Sequence, residues 1–210
     1  MSSHHIVRDE QEPALLLTAL ESSQWPVILQ LFGWSPTVLA AESVLDQISS
    51  LGHKVDIALV SVDQVNYWKE QLTYQNPVDF RPVRENLIFD VASTAISGKY
   101  RAINVVTDDA GLPNVIAQCQ LHFPNLDVVI YSETQRHIIV KNHMFQKWLA
   151  DFSRLSVMPM RENTFISTEG FDLDMGEEKL ADGITLTKKR EGQISIRINH
   201  GPILISEEIT

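Results

Sequence analysis

Val55-Asp56-Ile57-Ala58-Leu59-Val60-Ser61-Val62 is apolar at almost every position until Ser61, and Asp63 follows it directly. An apolar run without alternation predicts a strand buried on both faces, the environment of a parallel sheet covered by helices on each side. Residues 13–18 (PALLLT), 37–41 (TVLAA), 102–107 (AINVVT) and 126–131 (LDVVIY) read the same way. Helix-like segments separate them, at 42–51, 64–72, 85–96 and 114–122. Strand and helix in repetition imply right-handed crossovers and an open α/β sheet.

The pattern changes after Trp148. The pieces RLSVMPM (154–160), TFISTEGF (164–171), GITLTKK (183–189), QISIRIN (193–199) and GPILISEE (201–208) follow one another with glycines between them. Residues 193–199 alternate strictly, which gives a strand one buried face and one wet face. The expectation is an open, mostly parallel α/β domain over residues 1–140 and an antiparallel β-sandwich domain over 152–210. A β domain that small is expected to need a partner to complete its core.

A formal net charge of −10 argues against a nucleic-acid partner, because binding phosphate backbones depends on clustered Lys and Arg. The basic run Lys188-Lys189-Arg190 is followed at once by Glu191 and reads as a solvated turn. A single cysteine, Cys119, rules out an internal disulfide and every zinc pattern built on several cysteines. Its apolar helical surroundings predict a buried thiol. No apolar run approaches membrane-span length, and the first residues are too polar for a signal peptide, so a cytoplasmic protein is expected. His4-His5 is weak evidence for a metal site.

Ligands of open α/β sheets sit at the carboxyl ends of the strands. At those ends stand Glu42, Asp63, and the pair Asp108-Asp109. Carboxylates so placed suit Mg²⁺, which takes a few hard oxygen ligands together with substrate phosphates. They equally suit helix caps and first turns, where the helix dipole favours acids, and on the residues alone that reading is preferred. The common phosphate loops, the nucleophile elbow and the zinc-protease helix motif are all missing from the sequence.

The opening His4-His5-Ile6-Val7-Arg8-Asp9-Glu10-Gln11-Glu12-Pro13-Ala14-Leu15 resembles the start of a bacterial branch of the thiamine pyrophosphokinases. Gly52-His53-Lys54-Val55-Asp56-Ile57 is similar to the segment entering that family's Mg²⁺-binding loop. Leu155-Ser156-Val157-Met158-Pro159-Met160, Ile166-Ser167-Thr168-Glu169-Gly170-Phe171 and Gly201-Pro202-Ile203-Leu204-Ile205 resemble its closing strands in order and spacing, and Trp148 also fits. The resemblance implies an ATP-binding α/β domain, a thiamine-binding β-sandwich, a homodimer, and transfer of pyrophosphate from ATP to thiamine with Mg²⁺.

The positions that carry that chemistry depart from the family. Gly-Asp-x-Asp is replaced by Val60-Ser61-Val62-Asp63, which keeps one carboxylate and exchanges the other for a hydroxyl. Thr-Asp-x-x-Lys aligns with Asn86-Leu87-Ile88-Phe89-Asp90, where both the acid and the base are gone. The Gly-x-x-x-Asp-His segment aligns with residues 110–115, leaving Asn114 near the acid's place, and the Ser-Asn pair aligns with Thr185-Leu186. The resemblance therefore assigns catalysis and metal to Asp63 and Glu42. It assigns cofactor contacts to Ser61, Asn86, Asp90, Asp108, Asp109, Asn114 and Thr185. Metal chelation and charge neutralisation each supply powers of ten in phosphoryl transfer, so these losses together are severe. Three readings stand: a non-catalytic ligand-binding or regulatory paralogue, in which ATP and Mg²⁺ need have no part; an active enzyme using Glu42, Asp63, Asp108 and Asp109; and changed chemistry on another substrate.

Overall fold

The structure is a computed structural model that describes residues 12–34, 37–84, 87–141 and 143–209. Asn86 and most of the opening stretch therefore lie outside the described residues. The chain divides into two compact units, Met1–Glu133 and Thr134–Thr210.

The first unit alternates β1 (Ala14–Leu17), α1 (Trp25–Phe32), β2 (Val38–Ala41), α2 (Leu45–Ser50), β3 (Ile57–Ser61), α3 (Val65–Gln71) and β4 (Asp79–Val83). It continues with α4 (Ile88–Ile96), β5 (Ala102–Val106), α5 (Leu112–His122) and β6 (Asp127–Tyr131). All six strands run parallel in the order β6-β5-β1-β2-β3-β4. The open parallel sheet expected from the apolar runs is present. Leu15, Leu16 and Leu17 are each fully buried, so successive side chains on opposite faces are both covered. Leu15 and Leu17 pack with Ile28 of α1, Leu45 and Ile48 of α2 and Trp68 of α3. Each such side chain contributes roughly 1.5–3 kcal/mol of burial. The chain steps outward from β1 to β4 and then returns to place β5 on the other side of β1. Right-handed crossovers require α4 and α5 to lie on the opposite face, where Phe89 and Phe123 pack with ring centroids 6.1 Å apart.

Two elements of this unit were not legible in the sequence. Helix α1 carries Pro26 in its first turn, where a missing N–H is tolerated. Strand β4 is a mostly exposed edge, Asp79-Phe80-Arg81-Pro82-Val83, and its proline and charges conceal it from a search for apolar runs.

The second unit contains β7 (Gln135–Val140), β8 (Met144–Leu149), β9 (Ser153–Pro159), β10 (Thr164–Glu169), β11 (Glu178–Leu180), β12 (Ile184–Lys188), β13 (Gly192–His200) and β14 (Ile203–Glu208). Two antiparallel arrays face each other, β12-β9-β14-β7 and β11-β10-β13-β8. Between them lie Leu155, Val157, Ile203 and Ile205 of one and Ile166, Ile194, Ile196 and Ile198 of the other. The sandwich thus closes a core within one chain, contrary to the expectation that so small a β domain would need a partner for it. Strands β7 and β8, which lie outside the β-rich pieces read from 154 onward, add apolar surface through Val140 and Leu149. Cys119 is fully buried in α5 as expected. No helix among the described residues is long and apolar enough to cross a membrane.

Gly170 ends β10 with φ +89°, and a Cβ there would stand 2.4 Å from the Gln193 carbonyl oxygen. Both carboxylate oxygens of Asp174 accept N–H groups of this turn, from Gly170 at 3.1 Å and Phe171 at 2.9 Å. Gly170→Ala is expected to lower stability by about 1–3 kcal/mol, the usual range for a strained backbone position. Urea unfolding followed by circular dichroism measures this, and an unchanged midpoint would show that the turn relaxes without cost.

Candidate functional site

The carboxyl ends of β2 and β3 bring Glu42, Ser61 and Asp63 together. Glu42 opens a 3₁₀ turn (Glu42–Val44) directly after β2, and Ser61 is the last residue of the neighbouring β3. The Ser61 backbone N–H donates to Glu42 Oε2 at 2.7 Å, and the Ser61 hydroxyl donates to the same oxygen at very short range. Asp63 follows in a 3₁₀ turn (Val62–Gln64), is exposed, and accepts from the Gln64 amide at 3.2 Å. Strand order dictates this grouping: β2 and β3 pair in parallel from Leu39↔Ile57 to Ala41↔Leu59, so the residues just beyond them converge.

Partial burial pushes the Glu42 carboxyl upward, and the charge of Asp63 adds to that in a smaller way. The hydrogen bonds from the Ser61 side chain and backbone, with a contribution from the Trp68 indole, outweigh both and hold Glu42 below its ordinary value of 4.5. Trp68 is 5% exposed, and its Nε1–H meets no acceptor in hydrogen-bond geometry. Its influence on Glu42 is therefore that of an N–H dipole at longer range, weaker than the direct Ser61 donors. Nothing in the chain marks Trp68 out beforehand, because its aromatic ring sits at an ordinary core spacing on α3.

The acids after β5 are occupied by the backbone. Asp108 Oδ1 accepts the Gly111 N–H at 2.7 Å, shaping the turn into α5. Asp109 Oδ1 accepts the Glu133 N–H at 3.1 Å, and Glu133 Oε1 faces the Asp109 N–H at 3.4 Å. These are turn-forming roles of the kind carboxylates commonly take before helices. Asp90 lies exposed in the first turn of α4, with the His122 imidazole 3.8 Å from its carboxylate. Asn114 is exposed in the first turn of α5. Thr185 belongs to the second unit, exposed on β12 opposite Ser156. Of the residues singled out from the sequence, Glu42, Ser61 and Asp63 form one cluster, and Asp108 and Asp109 are built into the turn after β5.

The sheet reverses its strand order between β1 and β5, the position where open α/β sheets form a ligand crevice. Here the crevice is laced by polar side chains. Thr18 donates its N–H and its hydroxyl to the Val106 carbonyl, at 3.0 and 2.9 Å. The buried Gln24 amide donates to the Thr107 carbonyl at 2.7 Å, and its oxygen accepts the Glu21 N–H at 2.8 Å. Neither Thr18 nor Gln24 was legible as a site residue, since both are common polar types beside an apolar run.

No protein-family model and no curated protein matches the sequence. Solved structures do match the fold. A thiamin pyrophosphokinase from Geobacillus thermodenitrificans superposes with a TM-score of 0.70 at 10% identity, over 94% of this chain and 97% of that one. The Bacillus subtilis thiamine pyrophosphokinase gives 0.71 at 9% identity, over 94% and 98%. Yeast thiamin pyrophosphokinase gives 0.67 at 11% identity, over 95% and 87%. The chain therefore has the thiamine pyrophosphokinase fold along nearly its whole length, at identities that speak to fold alone.

A carboxyl held low by native hydrogen bonds stabilises the fold above its unfolded-state value, and that stability is lost as pH falls through the lowered folded value. Ser61→Ala removes one donor to Glu42, so the Glu42 carboxyl is expected to titrate closer to 4.5. The loss of stability on acidification from 4.5 downward is expected to become shallower in the same variant. Carboxyl carbon chemical shifts across pH 2–7, compared between the two proteins, measure the first effect. Identical Glu42 titrations would show that the hydroxyl does not hold the charge.

Proposed function

We propose that this chain is a thiamine pyrophosphokinase-fold protein with an impaired phosphoryl-transfer centre, and that it acts as a ligand-binding or regulatory paralogue. The observation that carries this is the occupation of Glu42 Oε2 by two donors of Ser61. Donors at Glu42 Oε2 compete there with a cation, so Ser61 weakens this acid as a metal ligand. The residues present fit Mg²⁺ poorly. Asp63 is exposed, Asp108 and Asp109 are engaged in turns, and among the described residues no three acids, histidines or cysteines gather into a metal-holding group. No transfer step is routed through a metal on this donor set.

On this reading the ligand is thiamine or a related small molecule, with ATP and Mg²⁺ required only if turnover survives. Glu42 and Asp63 are the residues on which residual activity would depend, and Ser61, Asn86, Asp90, Asp108, Asp109, Asn114 and Thr185 mark the nucleotide- and thiamine-contact positions. The first unit is the nucleotide-binding-like part and the second the thiamine-binding-like part. We place the protein in the cytoplasm, as a homodimer. Support for self-association is the outer face of β8, where Met144 and Trp148, on either side of Gln146, are 44% and 65% exposed and which pairs only with β13 among the described residues.

Purified protein is expected to release AMP from ATP, Mg²⁺ and thiamine at least about a thousandfold more slowly than an intact thiamine pyrophosphokinase. Residues that act as a unit are not additive, so restoring one position alone is expected to do little. The informative variant combines Val60→Gly, Ser61→Asp, Leu87→Asp and Asp90→Lys. Separate titrations with ATP, Mg²⁺ and thiamine test for retained binding. Robust thiamine-dependent AMP formation by the unmodified chain would overturn the impaired-centre reading. Activity would then rest on Glu42, Asp63, Asp108 and Asp109.

A further inference from the structure

The turn that leads from β9 into β10 is held at three points. The Met160 N–H donates to the Pro202 carbonyl at 3.1 Å. Thr164, fully buried, donates its hydroxyl to the Arg161 carbonyl at 2.8 Å. Gly201, at φ +77°, lies so close over that hydroxyl that a Cβ would stand 2.7 Å from Thr164 Oγ1. Asn163 adopts φ +60°, a left-handed conformation that asparagine tolerates better than most residues. Its side-chain oxygen accepts a hydrogen bond from the Lys179 ammonium of β11 at 2.7 Å.

Two cations stand here without a counter-charge. Arg161 is exposed, and among the described residues its guanidinium has no hydrogen-bond or ion-pair partner. Lys179 bonds to a neutral amide oxygen, which leaves its charge uncompensated. Register sets Lys179 directly opposite the half-buried Phe165, on the outer face of the sheet. Glu178, its neighbour along β11, stands opposite the fully buried Ile166 and so points to the other face. A cavity of about 440 Å³ opens between the turn and β11. That is within the size range of small-molecule sites. Its charged lining residues are Arg161, Lys179 and Glu162, an excess of one positive charge, and Glu162 pairs with neither cation. Asp182 follows β11 but lies outside the lining. The apolar lining is open to a ligand, since Pro159 and Met160 are half-buried and Ala181 is exposed.

We infer that this hollow is a binding site for a small oxyanion, a phosphate ester or a carboxylate, bearing a compact apolar group. The planar fork of Arg161 and the Lys179 ammonium take up the oxyanion in charge-assisted hydrogen bonds. The apolar group covers Pro159, Met160 and Ala181, and the unbranched Met160 adapts to its shape. Asn163 is a positioning residue: its neutral oxygen aligns the ammonium and leaves the charge available. The site lies within the second unit and asks nothing of Glu42 or Ser61, so it stands apart from the impaired-centre reading.

The competing role is structural. A lysine on the short edge strand β11 deters pairing with other chains, and its bond to Asn163 ties that strand to the turn; neither needs a ligand. The full chain is titrated with phenyl phosphate, benzoate, inorganic phosphate and, as a cationic control, benzylamine, while amide chemical shifts report both affinity and place. Phenyl phosphate and benzoate are expected to saturate, with shifts concentrated at residues 159–163 and 179–181. Inorganic phosphate is expected to bind roughly tenfold more weakly for want of the apolar contact, and benzylamine not to bind. Which of the two aromatic anions binds more tightly distinguishes a phosphate from a carboxylate ligand. Arg161→Gln and Lys179→Gln, both at exposed positions, are expected to fold and to weaken each anion roughly fivefold or more. Glu162→Gln removes the one acid of the lining and is expected to tighten binding. Asn163→Gly keeps the left-handed backbone but releases Lys179, and is expected to weaken the anions, whereas a purely structural bond would leave their affinity unchanged. No saturable binding of either aromatic anion, shifts that fall elsewhere, or unchanged affinity in folded Arg161→Gln or Lys179→Gln overturns the proposal. So does inorganic phosphate binding as tightly as phenyl phosphate, or weaker anion binding in Glu162→Gln.

Discussion

Burial of both faces of β1, β2 and β3 is the constraint on which the first unit depends. A strand covered on each side can carry polar residues only where it emerges, and at the carboxyl ends of these three stand Thr18, Glu42 and Ser61. The same constraint sets the packing. Ala40, Ala58, Val60 and Val38 are all fully or almost fully buried beneath the helices, and the small side chains let α2 and α3 approach. Chemistry in such a unit is a decoration on strand ends, which can change while the packing stays fixed.

Ser61 shows how little change that takes. It keeps the backbone of β3 and its N–H still points at Glu42, so the geometry of the strand end is retained. What differs is the direction of polarity. A side-chain carboxylate at this position would repel Glu42 and leave both acids turned toward a cation; the hydroxyl instead donates to Glu42 and satisfies it internally. On the proposed reading, a donor and an acceptor stand where two like charges would need a cation between them. The Glu42 carboxyl is lowered by this neighbour despite its partial burial, the result expected of a carboxylate whose charge is already accommodated by the protein.

Elements defined by burial were legible in the sequence. The runs at 14–17 and 57–61 could be read because a two-sided parallel strand has no alternative to continuous apolar character. Strand β13 could be read because Gln193 to Asn199 alternates without a break. Elements defined by exposure were not. Edge strand β4 holds Asp79, Arg81 and Pro82, and β8 is interrupted by Gln146 and Lys147, so neither presents a run. At the site, Glu42 and Asp63 were legible from their place after strands. Gln24 and Trp68 were not, because their partners are more than eighty residues away or across a packed helix face, and one sequence holds no record of such contacts.

The two units invert each other in their use of charge. In the first, acids stand at solvent-facing strand ends, where they cost little and are satisfied by turns, so their presence alone is weak evidence of function. In the second, Arg136, Lys147 and Glu207 stand at positions that the alternation of three separate strands reserves for apolar residues. Apolar residues would pack there at equal or lower cost, but an inward-pointing lysine on the edge strand β8 deters pairing with other chains, and Glu207 satisfies it.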